Sequence, residues 1–195
     1  LPAGTRVHGL IDADRRRDLT CHHSGEHIVS GLICRRFACD NVGFHMGEDV
    51  TAIDFSGVLT MDQLYEIERE ANAVIARNAE AEIFYPSPEG LPFLEYRSKK
   101  EIDGQLRIVS IPGVDDCACC APHVKYTGEI GAIKILDAMR HRGGMRITIL
   151  AGMDAQADYA LRQEQAKAIS NLLSAPRDDI AAAVEKLMQE KEALA

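Results

Sequence analysis

The chain has 195 residues, a hydrophobic fraction of 46%, a charged fraction of 27% and a formal net charge of −8. These proportions are typical of a globular protein with one substantial core, and the apolar runs are too short for a membrane span. The acidic balance disfavours non-specific binding to DNA, which depends on many lysine and arginine contacts. Because the N-terminus lacks the basic-then-apolar pattern of a signal peptide, the sequence predicts a cytoplasmic protein.

In the first half of the chain, hydrophobic periodicity predicts strands and helices in alternation. Residues 7–11 are predicted to end a strand, and residues 12–18 to form a polar loop. Apolar residues at helical spacing predict a helix over residues 20–36. A strand is expected at residues 50–55, followed by a helix over residues 60–77 that opens with a Thr-x-x-Gln capping box.

In the second half, short β-rich runs dominate before the composition changes. Strands are predicted at residues 83–85 and 106–111, and a strand pair at residues 130–136 and 145–150. Alanine-rich, charged sequence then predicts a pair of helices over residues 153–195, interrupted by a proline.

These elements together predict an α+β fold, with a mixed sheet packed with helices and a C-terminal helical hairpin. We expect one domain at residues 1–152 and a helical extension at residues 153–195. The last helix carries an apolar stripe that favours a helical hairpin or pairing with a second copy in a homodimer, and contact of the extension with tRNA is the alternative. That stripe consists of Ile180, Val184, Leu187 and Met188.

Two pairs of side chains that commonly bind metals lie far apart in the sequence, and each pair has a four-residue spacing. The pairs are His23 with His27, and Cys119 with His123. On a helix, the two residues of such a pair project from the same face. Three imidazoles and one thiolate satisfy a tetrahedral Zn²⁺, or leave one position exchangeable for water. The sequence therefore predicts a zinc site, provided that folding brings the two pairs together.

The cysteine content also favours a metal site over a disulfide framework, which normally belongs to a smaller, loop-rich secreted chain. Of the six cysteines, three fall within four residues. Cys117 and Cys120 compete with Cys119 for the position of thiolate ligand. His22 points about 100° away from His23 on a helix and is predicted to lie outside the ligand set.

A different zinc motif also matches part of this pattern. Residues 23–27 fit the H-x-x-E-H motif of inverted zinc peptidases, in which the glutamate is the general base. Such enzymes take a third ligand from a distant glutamate, for which Glu101 and Glu129 are candidates. This interpretation leaves Cys119 and His123 without a function, so a site built from both pairs is preferred.

Several motifs resemble, in the same order, those of alanyl-tRNA synthetase editing domains and their freestanding relatives, the alanyl-tRNA editing proteins. The resemblance covers residues 9–152. The motifs are Arg16-Arg17, His23-Ser-Gly-Glu-His27, Asn41-Val-Gly-Phe-His-Met-Gly47, Thr51-Ala-Ile-Asp-Phe-Ser56, Thr60-Met-Asp-Gln-Leu64, Arg107-Ile-Val-Ser-Ile111, Cys119 with His123-Val124, Thr127-Gly-Glu-Ile-Gly131, and Arg146-Ile147 with Gly152.

The resemblance implies a mixed α/β domain with a zinc site between a helix and a sheet. It also implies hydrolysis, in trans, of the ester that links a wrong amino acid, usually serine or glycine, to tRNA(Ala). By motif position, the implied zinc ligands are His23, His27, Cys119 and His123. Ser24 falls where the family often has threonine, and the resemblance implies that it contacts the substrate.

The chain departs from the family pattern at its second ligand pair. The family usually has Cys-Gly-Gly-Thr-His, whereas residues 119–123 read Cys-Cys-Ala-Pro-His. The change removes backbone freedom, a hydroxyl group and one N–H donor. Many relatives also carry a β-barrel domain ahead of the matched region. Only about eight residues precede it here, which favours a fragment or a truncated form.

The mechanism and function leave alternatives open. Zinc would either activate water for attack on the ester, or hold the amino or hydroxyl group of the substrate. Glu26 is predicted as the general base, with a purely structural carboxylate as the alternative, and Glu129 and His45 are weaker candidates. The rival functions are a non-catalytic zinc-stabilised module that binds tRNA or protein, and a metallohydrolase of another ester or peptide.

Overall fold

The structure, a computed structural model, describes residues 2–47, 50–98 and 104–194. Two compact units are present, Leu1–Asp154 and Ala155–Ala195. The α-helices are α1 (Ala13–Phe37), α2 (Met61–Ala76), α3 (Met153–Leu173) and α4 (Ile180–Ala193). The strands are β1 (Asn41–Met46), β2 (Thr51–Phe55), β3 (Glu82–Phe84), β4 (Ile108–Ile111), β5 (Asp115–Ala118), β6 (Ile133–His141) and β7 (Gly144–Ala151).

Helix α1 begins two turns earlier than predicted. Asp12 caps its N-terminus by accepting a hydrogen bond from the backbone N–H of Arg15, so residues 13–18 of the expected loop at 12–18 are helical. The following arginines are good helix formers, which explains why the polar stretch does not interrupt the helix. The strand predicted at residues 7–11 is wrong, because these residues form no strand and their side chains are exposed.

An antiparallel four-stranded sheet, in the order β1-β2-β7-β6, forms one side of the first unit. The strands predicted at residues 50–55, 130–136 and 145–150 correspond to β2, β6 and β7. Strand β1 was not predicted, because its glycine and polar residues give no clear β composition. It pairs with β2, with Phe44 opposite Ile53.

A second antiparallel sheet has three strands in the order β3-β4-β5. Strands β3 and β4 were predicted, whereas β5 was not, because its two aspartates disfavour a strand. In the β4–β5 pair, Ile111 lies opposite Asp115 and Val109 lies opposite Cys117. The α+β class is confirmed, with two antiparallel sheets packed against helices.

Helix α1 is buried continuously from Cys21 to Ile33 because both sheets approach it closely. Two glycines permit this approach. A Cβ atom added at Gly25 would lie 3.2 Å from the Ala151 side chain of β7. A Cβ atom added at Gly31 would lie 2.7 Å from both the Asp115 Cβ atom and the Val114 carbonyl oxygen. The second separation is too short for a real contact, so only glycine lets β5 pack against α1 here.

The second unit contains most of α3 and all of α4, which confirms the predicted C-terminal helical pair. Its apolar side chains are largely solvent-accessible; Leu172, Leu187 and Met188 are among the exposed ones. In the part of the chain that the structure describes, the helices lack the length and apolar character needed to cross a membrane.

Candidate metal centre

The first ligand pair lies on the buried face of α1. His23 and His27 are 4% and 3% exposed, respectively. The Nδ1 atom of His23 is 3.0 Å from the carbonyl oxygen of Pro122, and that of His27 is 3.1 Å from a carboxylate oxygen of Asp115. Both partners are acceptors, so each Nδ1 atom carries the hydrogen and donates it. Nε2 of each ring is thereby left as the nitrogen that would bind a metal ion.

The second pair lies on the irregular segment that follows β5. The side chain of Arg107 holds this segment by donating hydrogen bonds to the carbonyl oxygens of Cys119, at 2.6 Å, and Ala121, at 3.3 Å. The Nδ1 atom of His123 is 3.2 Å from the Ser24 hydroxyl. Interactions from other parts of the chain therefore fix the loop-borne ligands, which have no helix of their own.

The structure brings together all four predicted ligands, whose donor atoms lie within 4.8 Å of one another. The Cys119 Sγ atom is 3.5 Å from Nε2 of His23 and 3.4 Å from Nε2 of His123. In a tetrahedral zinc site, Zn–S bonds of about 2.3 Å and Zn–N bonds of about 2.0–2.1 Å separate sulfur from nitrogen by about 3.6 Å. The cluster can therefore hold a metal ion with this coordination.

The protonation of Cys119 and His123 also suits a metal ligand set. Burial alone would raise the pKa of Cys119, but hydrogen bonds from His123, His23 and His27 lower the pKa to about 3. Burial, together with the nearby charges of His27 and His23, lowers the pKa of His123 to about 4, against the opposing effect of Cys119. At neutral pH the thiol is therefore a thiolate and the His123 ring is neutral, which are the forms that bind metals.

His27 is supported by a buried ion pair behind the cluster. Asp115, which is 5% exposed, accepts two hydrogen bonds from the Arg97 guanidinium group, at 2.6 and 2.7 Å, and one from His27. Burial opposes protonation of His27, but the hydrogen bonds with Asp115 and Cys119 and the charge of Glu26 raise the pKa to about 9. Burial opposes ionisation of Asp115, but its hydrogen bonds with His27 and Arg97 lower its pKa, so Asp115 is a carboxylate that orients this ring. In the metal-free chain the His27 ring is protonated at neutral pH, and a bound metal ion would replace the proton on Nε2.

A second group of donor atoms comprises His27, Asp115 and Cys117. Burial raises the pKa of Cys117 to about 12, so this thiol stays protonated and is a poor ligand. The Asp115 carboxylate is already paired with Arg97. These three residues are therefore better understood as the support of His27 than as a separate metal site.

Glu26 and Ser24, which were predicted to take part in catalysis, both lie against the ligands. Glu26 is 0% exposed, and one of its carboxylate oxygens is 3.9 Å from Nε2 of His27. Its other oxygen accepts hydrogen bonds from the side chains of Ser30 and Asn41. The Ser24 hydroxyl bonds to His123 and accepts a hydrogen bond from the Val124 N–H. Substrate contact by Ser24 stays a prediction.

The alternative candidates lie apart from the cluster. The two ring nitrogens of His22 contact Thr51 and Asp154, away from the four clustered donor atoms. The Glu129 carboxylate accepts a hydrogen bond from the Tyr126 N–H within a local turn, and His45 is exposed on β1. Cys120 is exposed next to Cys119. Glu101, the other candidate for a peptidase ligand, lies outside the described residues.

Sequence reasoning missed the residues that orient the ligands, namely Asp115, Arg97 and Arg107. Their contribution depends on the pairing of β4 with β5, which places Asp115 beneath α1. The available signal was an aspartate pair directly before the cysteine cluster, at residues 115–116. The role of Asp115 in orienting a ligand can be inferred only once residues 115–118 are known to form strand β5.

Residues 106–148 match the family model described as the threonyl and alanyl tRNA synthetase second additional domain. An alanine–tRNA ligase from Methanothermobacter thermautotrophicus is 33% identical over 162 residues, which are 78% of this chain and 18% of the ligase. The alanyl-tRNA editing protein AlaX-M of Saccharolobus solfataricus is 37% identical over 142 residues, or 70% of this chain and 59% of that protein. The corresponding protein of Methanosarcina acetivorans is 33% identical over 150 residues, covering 73% and 61%.

The match to the family model covers residues 106–148, which include two of the four clustered metal-ligand side chains. The similarity to the AlaX-M proteins and the alanine–tRNA ligases supports the resemblance to AlaX-like alanyl-tRNA editing proteins. The chain spans about a fifth of the length of the ligases and about three fifths of the freestanding proteins.

Proposed function

We propose that this chain is a zinc-dependent hydrolase that removes serine or glycine from mischarged tRNA(Ala), acting in trans. The single observation that carries the proposal is the convergence of three imidazoles and one thiolate in a chain similar to alanyl-tRNA editing proteins. Ester hydrolysis on an aminoacyl-tRNA requires a polarised carbonyl and a water molecule from which a proton is removed. The cluster and its neighbours offer groups for both requirements.

We assign His23, His27, Cys119 and His123 as the zinc ligands. Their donor set fits zinc because imidazole and thiolate are its preferred ligands in proteins. A bound zinc ion would supply a Lewis acid beside the scissile ester. The chain itself contributes a preformed thiolate and imidazoles whose Nδ1 atoms are held by Pro122 and other neighbours.

Glu26 is assigned as the acceptor of the proton that the attacking water loses. Its carboxylate oxygen lies 3.9 Å from Nε2 of His27, beside the ligand atoms. The hydrogen bonds from Ser30 and Asn41 to the other oxygen fix the direction of this carboxylate. A general base needs such a fixed position close to the reacting water.

Ser24 is assigned as a positioning residue. Its hydroxyl accepts a hydrogen bond from the Val124 N–H at 3.1 Å and lies 3.2 Å from Nδ1 of His123. It therefore links helix α1 to the segment that carries the second ligand pair. In this way it orients His123 in the same manner that Asp115 orients His27.

We further propose that residues 1–152 form the editing domain of a cytoplasmic protein, and that residues 153–195 form an extension. The exposed apolar side chains of α4, including Leu187 and Met188, favour contact of this extension with a second copy in a homodimer, and contact with tRNA is the alternative.

The decisive experiment is deacylation of Ser-tRNA(Ala) and Gly-tRNA(Ala), with metal content measured on the same sample and Ala-tRNA(Ala) as the control. We expect metal-dependent release of serine or glycine, with correctly charged tRNA spared. Stoichiometric metal without hydrolysis of any ester would instead support a metal-stabilised binding module. Hydrolysis of small esters or peptides, but of no aminoacyl-tRNA, would support a metallohydrolase of another class.

A further inference from the structure

A cavity of about 400 Å³ lies directly beside the metal centre. It is bordered by the segment before α1, the first turns of α1, the end of β1 and the loop that carries Cys119 and His123. Its lining residues include His23, so the cavity adjoins one of the proposed metal ligands. Its volume lies in the range that is typical of small-molecule sites.

The cavity combines apolar walls with positive charge. Ile11, Leu19, Met46 and Pro122 contribute apolar surface. Arg15 and Arg16 also line it, and within residues 2–47, 50–98 and 104–194 neither guanidinium group has a hydrogen-bond or ion-pair partner. Two unpaired guanidinium groups beside an apolar cavity favour a ligand that is part flat and apolar and part anionic.

The balance of charge distinguishes this cavity from its neighbour. The neighbouring cavity, of about 320 Å³, is also lined by Arg15, but together with four aspartates, Asp12, Asp14, Asp18 and Asp154, which would repel a phosphate. Arg16 lines only the cavity beside His23 of these two. In the cavity beside His23, Asp12 is the acidic lining residue, and its carboxylate is engaged by the Arg15 N–H at the start of the helix. In a chain of net charge −8, the cavity beside His23 is therefore the better site for an anion.

We propose that this cavity binds the terminal adenosine of the tRNA acceptor end, with Arg15 and Arg16 binding its 5′-phosphate. This inference rests on the proposed function, because the scissile ester joins the amino acid to the ribose of that adenosine. With the ester carbonyl at the cluster, the nucleoside must occupy space next to a ligand, and the cavity at His23 provides it. The apolar walls accept the base, and the guanidinium groups form charge-assisted bonds with the phosphate.

The test is a calorimetric titration of the metal-loaded full chain with adenosine 5′-monophosphate. Adenosine serves as the probe that lacks the phosphate. The variant Arg15→Gln/Arg16→Gln should weaken binding of the monophosphate by about tenfold or more and leave adenosine binding within about twofold. Arg69→Gln, an exposed arginine on α2, is the matched control and should bind both probes like the unmodified chain. Metal content of each variant confirms that the cluster is intact.

A second variant guards against a local change in helix α1. Ile11 is 70% exposed ahead of the helix and lines the cavity, so Ile11→Glu adds a negative charge at the cavity without disturbing the core. We expect it to weaken binding of the monophosphate more than that of adenosine. Absence of saturable binding of the monophosphate at millimolar concentration, or unchanged affinity in both variants, would overturn the assignment.

The same variants separate this inference from the proposed function. If the chain binds the monophosphate through Arg15 and Arg16 but deacylates no aminoacyl-tRNA, the nucleotide site stands and the proposed reaction fails. If it deacylates Ser-tRNA(Ala) and the arginine variant leaves KM unchanged, the reaction stands and the nucleotide site fails. A KM raised by about tenfold with an unchanged kcat supports both.

Discussion

The two ligand pairs of the candidate metal centre have the same four-residue spacing but are held in different ways. His23 and His27 lie on a helix, where backbone hydrogen bonds fix the spacing and two sheets bury the ligand face. Cys119 and His123 lie on an irregular segment, where the Arg107 side chain fixes the backbone from outside. Equal spacing in a sequence therefore does not indicate equal local structure.

This difference indicates how the site depends on the rest of the fold. The helical pair is preorganised by the helix itself, and Asp115 orients His27 from strand β5. The second pair becomes a ligand pair only through contacts with other elements, including the bond between Ser24 and His123. Even the thiolate state of Cys119 results from the histidines of both pairs. The position of the loop that carries Cys119 and His123 thus depends on contacts with helix α1.

The largest effect should follow from removal of a helix-borne ligand. A structural zinc site contributes about 10–16 kcal/mol, so the loss of one ligand in four costs roughly 3 kcal/mol, or about a hundredfold in affinity. We expect His27→Ala to weaken zinc binding by at least this factor and to abolish deacylation. A competition titration with a chelator measures it. His45→Ala, at an exposed position on β1, is the matched control. Unchanged zinc affinity in His27→Ala would disprove the ligand assignment.

Replacing the proposed general base should separate chemistry from metal binding. General-base catalysis contributes about 10²–10⁴-fold to a rate. Since glutamine keeps the size of the side chain and can still contact Ser30 and Asn41, Glu26→Gln should lower kcat by about a hundredfold or more with metal content unchanged. Parallel measurement of kcat and bound zinc tests this. Loss of zinc with kcat per bound metal preserved would assign Glu26 to the support of the cluster.

The loop-borne thiol should differ from its buried neighbour in reactivity. Cys119, whose pKa is lowered to about 3, is a thiolate at pH 6, whereas Cys117, whose pKa is raised to about 12, is a thiol. Without metal, Cys119 should therefore react with iodoacetamide about a hundredfold faster, as measured by peptide mass spectrometry in a Cys120→Ser background.

Two controls sharpen this experiment. Zinc should protect Cys119, and urea should remove the difference because both thiols then return to ordinary pKa values. The sign follows from the shift: the thiolate of Cys119 is lost only when the pH falls through about 3, so its preference should persist at pH 5. Equal labelling of Cys119 and Cys117 in the folded, metal-free chain would contradict the proposed electrostatics.

Replacing a residue that orients a ligand should reduce zinc affinity less than replacing the ligand itself. Residues that orient metal-bound histidines typically contribute 10–100-fold in affinity. We expect Asp115→Asn to weaken zinc binding by roughly that factor. It should also destabilise the fold by about 3–5 kcal/mol, because Arg97 loses its buried partner. Denaturant unfolding and zinc titration measure the two effects. Asp116→Asn, at an exposed position on the same strand, is the control and should change neither.

The sequence was sufficient for the parts of the fold that depend on local pattern. His23 and His27 were recognisable because helical spacing alone places them together, and the second ligand pair was proposed from its matching spacing. Strand β5 escaped prediction because its aspartates oppose a β assignment until Arg97 and His27 neutralise one of them. Residues 7–11 were predicted to end a strand because they are apolar, yet they are exposed and pair with no strand among the described residues. In both segments, contacts with residues distant in the sequence determine whether a strand forms.

The smallest effect on the metal centre is expected from deletion of the second unit. The ligands and the residues that orient them belong to the unit Leu1–Asp154, whereas α4 exposes apolar side chains. A chain that ends at Asp154 should therefore keep its zinc affinity within about twofold, and its oligomeric state or tRNA affinity should change. Light scattering, tRNA binding and zinc titration on the same sample test this. Loss of zinc in the shortened chain would show that the helical extension supports the ligand pairs. The comparison of the helix-borne pair with the loop-borne pair would then have to take the C-terminal helices into account.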